Sequence, residues 1–218
     1  MVAATVGLLF EVLTRSEVLY LIDETKSTIA RQIGTMRSLE ELGLIDVHPD
    51  TYTYPFKDVL LSSRELIIVL NDGRSWQGRH SDYLKTRMML PDRSTVFVFQ
   101  HPESKMLQDV LSKKVGQSPE FLREKVNETI KELVSYPRSD RHVLQILGHH
   151  FFNPYSLFVS EELAIMCPYN ISPNRSTVPT FVFEKRGQSS QYHRFYEDVQ
   201  QVIRYSSPLS PTQPGTKP

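Results

Sequence analysis

Between residues 23 and 43 the apolar positions Ile29, Ile33, Met36, Leu39 and Leu42 recur at steps of four and three, the repeat of one helical face. Arg31, Arg37, Glu40 and Glu41 fall on the other side, and Gly43 suits the left-handed residue that closes a helix. So narrow a stripe also suits a two-helix seam, and a homodimer through residues 24–43 is the expectation. The residues before it, MVAATVGLLFEVLTRSEVLYL, are apolar only as far as Phe10, because Glu11, Arg15 and Glu17 follow. A spanning helix needs about 20 mostly uncharged residues. With no basic lead and no small-residue cleavage site, a packed amphipathic helix is expected, and any membrane contact falls to this segment. The turn-rich HPDTYTYP ends a helical segment assigned to residues 1–47.

From residue 48 the periods alternate. FKDVLLSS reads as a short helix, and ELIIVL as a strand buried on both faces. NDGRSWQGRHSD reads as a polar loop, DYLKTRMML as a helix and STVFVFQ as a second buried strand. Two helices are expected between residues 104 and 136. In the second, Ser118 is the N-cap, Pro119 the first helical residue, and Leu122, Val126, Ile130 and Leu133 the buried stripe. A strand HVLQILG, a hairpin YSLFV and LAIMCPY, and a strand in TVPTFVFEK precede a helix with Tyr192, Phe195, Val199 and Val202 inward. The fold class is α/β (α+β), a mixed sheet flanked by helices over residues 48–206. The tail 207–218, SPLSPTQPGTKP, holds four prolines and is expected to be disordered.

Charge narrows the function. Lys plus Arg and Asp plus Glu are both 25 in 218 residues, so no net field draws the chain to duplex nucleic acid or an anionic bilayer. Cys167 is the single cysteine, which excludes an internal disulfide and fits a reducing, cytoplasmic setting. Loops with GxxxxGK[ST] or GxGxxG spacing are missing, so no cofactor is expected. His142, His149 and His150 lack metal-ligand spacing, and no metal site is assigned.

The residues 153–170, NPYSLFVSEELAIMCPYN, carry polar positions at spacings that a hairpin does not require. They match the spacing H-x-K-x4-D-x6-G-S-x-N. Asn153 stands at the His position, Tyr155 at the Lys, Ser160 at the Asp, Cys167 and Pro168 at the Gly-Ser pair, and Asn170 at the Asn. With the order of elements, this resembles one half of a phospholipase D-like domain with a degenerate motif, over about residues 45–205. The chain is similar in this to uncharacterised bacterial domains of that architecture, where His101-Pro102-Glu103-Ser104 takes the place of a D-P-x-S phrase. The resemblance implies a site built from two halves, hence a homodimer, and a bacterial regulatory or defence setting.

The family's chemistry uses one His as nucleophile, a second as acid, and Lys as fixed charge. An Asn amide is no nucleophile, and Tyr155, with an ordinary pKa near ~10, is uncharged at neutral pH. The inherited phosphodiesterase mechanism is therefore not available at residues 153–170. The reading is a non-catalytic binding or sensing domain for a phosphorylated or nucleotide-type ligand. Arg74 and Arg79 would act as anion donors, Trp76 as a stacking face, and Ser75, His80, His101, Asn153, Tyr155, Ser160 and Asn170 as further contacts in one cleft. Two alternatives stand beside it. One is a hydrolase of phosphoester or glycosidic bonds whose catalysis has moved to His80, His101 or His149. The other is a scaffold whose cleft is filled with side chains.

Overall fold

A computed structural model describes residues 2–170 and 177–210. It divides into two compact units, residues 1–41 and 42–218. The first is a single helix, α1 (Val2–Leu42), in which the residues predicted from 23 onward run on unbroken from the apolar start. Along it Ile29, Ile33, Met36, Leu39 and Leu42 are exposed, and Arg37 pairs with Glu41 one turn on. Gly43 closes the helix at φ +75°, and a Cβ there would lie 2.6 Å from the carbonyl oxygen of Glu184. Among the described residues no helix is long and apolar enough to cross a membrane.

The second unit opens with β1 (Leu44–His48), so the sheet begins before the boundary read from the turn-rich connector. Ile45 and Val47 remain exposed, which is why the segment lacks a buried strand's signature. There follow α2 (Phe56–Ser62), β2 (Glu65–Leu70), α3 (Arg74–Arg79), α4 (Ser81–Met89) and β3 (Arg93–Gln100). A π-helical turn (Leu107–Leu111) runs into α5 (Ser112–Val115), ahead of α6 (Pro119–Ser135) and β4 (His142–His149). The hairpin is β5 (Tyr155–Ser160) and β6 (Leu163–Pro168), followed by β7 (Thr180–Glu184), α7 (Gln191–Arg204) and β8 (Ser207–Pro208). The eight strands form one mixed sheet in the order β1-β7-β6-β5-β2-β3-β4-β8. Its parallel part is β2-β3-β4, and the other pairings are antiparallel.

Period-2 alternation divides the sheet's two faces between two cores. Ile68, Leu70, Phe97, Phe99, Phe158 and Ile165 pack with Phe56, Trp76, Leu84, Met88, Val126 and Ile130 from the helices α2 to α6. Ile67, Val69, Val98, Leu157, Val159 and Ala164 pack with Tyr192, Phe195 and Val199 of α7. Helices on both faces explain why β2 is an unbroken apolar run. The Ser118 side chain caps α6 as predicted, its Oγ accepting from the Phe121 amide at 3.2 Å.

Two sequence expectations are corrected. NDGRSWQGRHSD is not all loop, because Arg74–Arg79 forms α3. Ser207–Leu209 is not part of a disordered tail. Pro208 sits opposite Leu147 on the sheet edge, where a missing N–H costs nothing. The Leu209 amide donates to Ile146 O at 2.9 Å. Its side chain covers Gly148, where a Cβ would come within 2.9 Å of the leucine methyls. Residues 211–218 lie outside the described residues.

One buried cation ties the helical layer to the sheet. Arg87 on α4 is completely buried, yet no carboxylate accepts its hydrogen bonds. Its guanidinium donates to Leu60 O and Ser63 O at 2.8 and 2.7 Å, the open carbonyls at the end of α2. It also reaches Ser94 O at 2.8 Å and Thr95 Oγ1 at 2.8 Å on β3. Burial, with Arg93 adding repulsion and Glu161 opposing both, lowers its pKa to about 10, so it stays charged at neutral pH. Replacing it by Met leaves several carbonyls buried without donors, each costing about 1–3 kcal/mol. R87M should therefore lose roughly 3 kcal/mol or more in urea unfolding, and R87K less, since an ammonium keeps the charge but not the fork.

Candidate functional site

A hollow opens on the face covered by α2 to α6. After β2 the chain turns through Asn71, Asp72 and Gly73 into α3. Gly73 has φ +69°, and a Cβ there would sit 2.5 Å from the Phe99 ring, so only glycine permits the turn. That turn sends Ser75, Trp76 and Arg79 of α3 toward a cavity of about 310 Å³. Tyr52, Asn71, Lys114, Ser156, Phe158, Cys167, Tyr169 and Asn170 are among the other residues lining it.

Its floor is aromatic. Trp76 packs against Phe158 at 4.9 Å and edge-on to Phe56 at 5.5 Å between ring centres. Polar groups fix the far wall. Tyr169 Oη accepts from the Asn71 amide at 3.3 Å and shares a 2.8 Å hydrogen bond with Ser156 Oγ. Two cations stand beside these groups. The Arg79 guanidinium lies 3.9 Å from the Tyr52 ring centre, and Lys114 Nζ 5.5 Å from that of Tyr169. Burial lowers the Lys114 pKa. Asp50 and Asp72 also line the cavity and balance the two charges. Burial raises the Cys167 thiol, which lies 3.4 Å from Thr180 Oγ1 and stays protonated at neutral pH. Two polar atoms of the lining residues, Asn71 Oδ1 and Trp76 Nε1, are buried without a hydrogen-bond partner.

A second hollow, about 290 Å³, opens on the opposite face of the sheet beside α7. His149, Asn153, Tyr155, Phe151, Phe152, Asp198 and Tyr205 are among its lining. Tyr155 donates to Asp198 Oδ2 at 2.9 Å, and burial and that carboxylate push the phenol up to about 12.

The single cleft expected from the sequence is therefore two. Ser75, Trp76, Arg79 and Asn170 come together in the first cavity, and Asn153 and Tyr155 in the second. The other predicted residues do other things. Arg74 is paired with Glu128 of α6. His80 is buried beside Trp76 and Phe56, at 4.9 and 5.1 Å between ring centres. His101 stacks on His150 at 4.5 Å and accepts from the Glu103 amide, away from either lining. Ser160 Oγ caps the hairpin by accepting from the Leu163 amide at 3.0 Å. Tyr52, Asn71, Lys114, Ser156 and Tyr169 escape a motif search because four separate segments carry them. Among the described residues, no group of three His, Cys, Asp or Glu side chains is placed to hold a metal ion.

No protein-family model and no curated protein matches the sequence. Among solved structures the chain is similar to TrmBL2, an archaeal chromatin protein whose structure shows a novel mode of DNA binding. The identity is 12% and the TM-score 0.39, over 88% of this chain and 64% of that one. This chain thus spans less than two thirds of that protein's length. It is also similar to NucT from Helicobacter pylori, at 10% identity and TM-score 0.39, over 71% of this chain and 88% of that one. Both likenesses are distant ones of fold.

His80 and His149 give the fold a pH dependence. Burial, aided by Arg79 and His150 respectively, lowers both to about 4 from 6.5. As pH falls, the unfolded chain takes up these protons first. Stability is thus full above 6.5 and falls away between 6.5 and 4. Melting temperatures measured across that window should drop, and H80Q and H149Q should each flatten the slope.

Proposed function

We propose that the second unit is a non-catalytic binding domain whose first cavity takes a nucleotide-type ligand. The observation that carries this reading is the pairing of chemistries in one hollow. An apolar, aromatic floor suits a flat ring, and two of the lining residues carry an unpartnered donor and acceptor. A heteroaromatic base presents donors and acceptors on its edge, and satisfying the two buried atoms would relieve about 1–3 kcal/mol each. Arg79 and Lys114 supply charge for a phosphate attached to that base. The lysine's desolvation makes an anion beside it more favourable than water alone.

Binding without turnover is favoured by what lines the cavity. None of the described histidines is among its lining, and its thiol is protonated. The histidines named for relocated catalysis sit in the core, at the His150 stack and in the other hollow. A filled scaffold is disfavoured by the cavity's open volume. The phospholipase D-like spacing at 153–170 supports descent of the hairpin rather than its chemistry, since Asn153 and Tyr155 face away from this cavity.

Calorimetric titration with nucleoside monophosphates, the matching nucleosides and inorganic phosphate tests the reading. At least one nucleotide should bind saturably with no product formed. Its nucleoside should bind more weakly, and R79A should cost about tenfold in affinity, the worth of one charge-assisted hydrogen bond. Phosphate binding as tightly as any nucleotide, or hydrolysis of the titrant, would refute it.

A further inference from the structure

The hollow beside α7 has a different chemistry. His149 is 1% exposed and Asn153 6%, and both ring nitrogens of His149 and the amide nitrogen of Asn153 are buried without hydrogen-bond partners. Burying such groups unpaired is costly, and three such atoms on two neighbouring lining residues is a concentration that a fold alone does not require. Burial, with His150 adding to it, lowers the imidazole to about 4, so it is neutral at physiological pH. It therefore offers one N–H donor and one bare acceptor. Asn153 adds a donor, and Asp198 a carboxylate held by Tyr155. At the mouth Phe151, Phe152 and Tyr205 are 47%, 47% and 65% exposed, with Phe151 and Tyr205 nearly perpendicular at 6.2 Å.

Elimination narrows the ligand. A phosphate or carboxylate only accepts hydrogen bonds, and it would meet the Asp198 carboxylate with no Lys or Arg in the lining. An ammonium group accepts no hydrogen bond, and would leave the Asn153 amide and the imidazole N–H unmet. Adjacent hydroxyl groups both donate and accept, and a ring that carries them has C–H faces to lay on Phe151 and Phe152. We propose that this hollow is a second binding site, for a monosaccharide-sized polyhydroxylated ring. At about 290 Å³ it is at the small end of ligand cavities, which fits a single ring. The sheet lies between it and the nucleotide cavity, so the two sites are independent. Here the Asp198 carboxylate is the charged group in the lining, so the site excludes the anions that the first cavity takes.

The test uses the full chain and a set of methyl hexosides, with choline chloride and inorganic phosphate as contrasts. Saturation-transfer NMR reports contact and thermal shift reports stabilisation. At least one hexoside should give both signals at millimolar concentration, while choline and phosphate give neither at this site. N153L should weaken binding about tenfold, as loss of one buried hydrogen bond predicts. F152A, at an exposed position, should weaken it too, and R79A, across the sheet, should leave it unchanged. Binding of choline or phosphate that N153L abolishes would overturn the proposal. So would the absence of any hexoside signal, or a hexoside signal indifferent to both N153L and F152A.

Discussion

The pleat of β5 sends Tyr155, Leu157 and Val159 under α7, and Ser156 and Phe158 under the helices α2 to α6. This alternation is not negotiable, because a one-residue slip would bring Phe158 out of one core and Leu157 out of the other. It also decides where chemistry can meet. Asn153, just before the strand, and Tyr155 line the same hollow, on α7's face. The groups able to contact Trp76 and Arg79 come instead from Ser156, Phe158 and the residues after Met166 on β6. Two hollows on opposite faces of the sheet follow from one hairpin.

The cavity on the helical side is held open by the same contacts that hold the fold. Arg87 closes the end of α2 and clamps it to β3, which keeps Phe56 against Trp76. Gly73 lets the chain pass the Phe99 ring and enter α3. Thr129 of α6 donates to Asp72 O at 3.1 Å and pins the same turn from outside. The buried arginine costs desolvation but has no apolar substitute that could satisfy those carbonyls. That is the reason a fully charged side chain lies in the core.

Much of the fold is legible in the pattern of the chain. β2 and β3 carry continuous apolar runs because both faces are covered, and α6 and α7 show clear 3.6-residue stripes. β1 was hidden because its two apolar residues, Ile45 and Val47, are exposed on an edge strand. β8 was hidden because four prolines in twelve residues read as disorder, although Pro208 needs no donor at an edge. α3 was hidden because six residues are too short to display a period. Of the site, Trp76, Ser75, Arg79 and Asn170 were visible as residue types after strands. Grouping them with Asn153 and Tyr155 failed because a spacing motif carries no information about which face of the sheet each residue takes. Asn71, Lys114 and Tyr169 become partners only when distant segments fold together.

The chain has a single tryptophan, and Trp76 lines the proposed nucleotide cavity with its indole N–H unpaired. The most direct test is the one indole signal in a nitrogen-proton correlation spectrum during nucleotide titration. It should shift saturably with the bound fraction, as the buried N–H gains an acceptor. A nucleotide that binds while this resonance stays fixed would contradict the account.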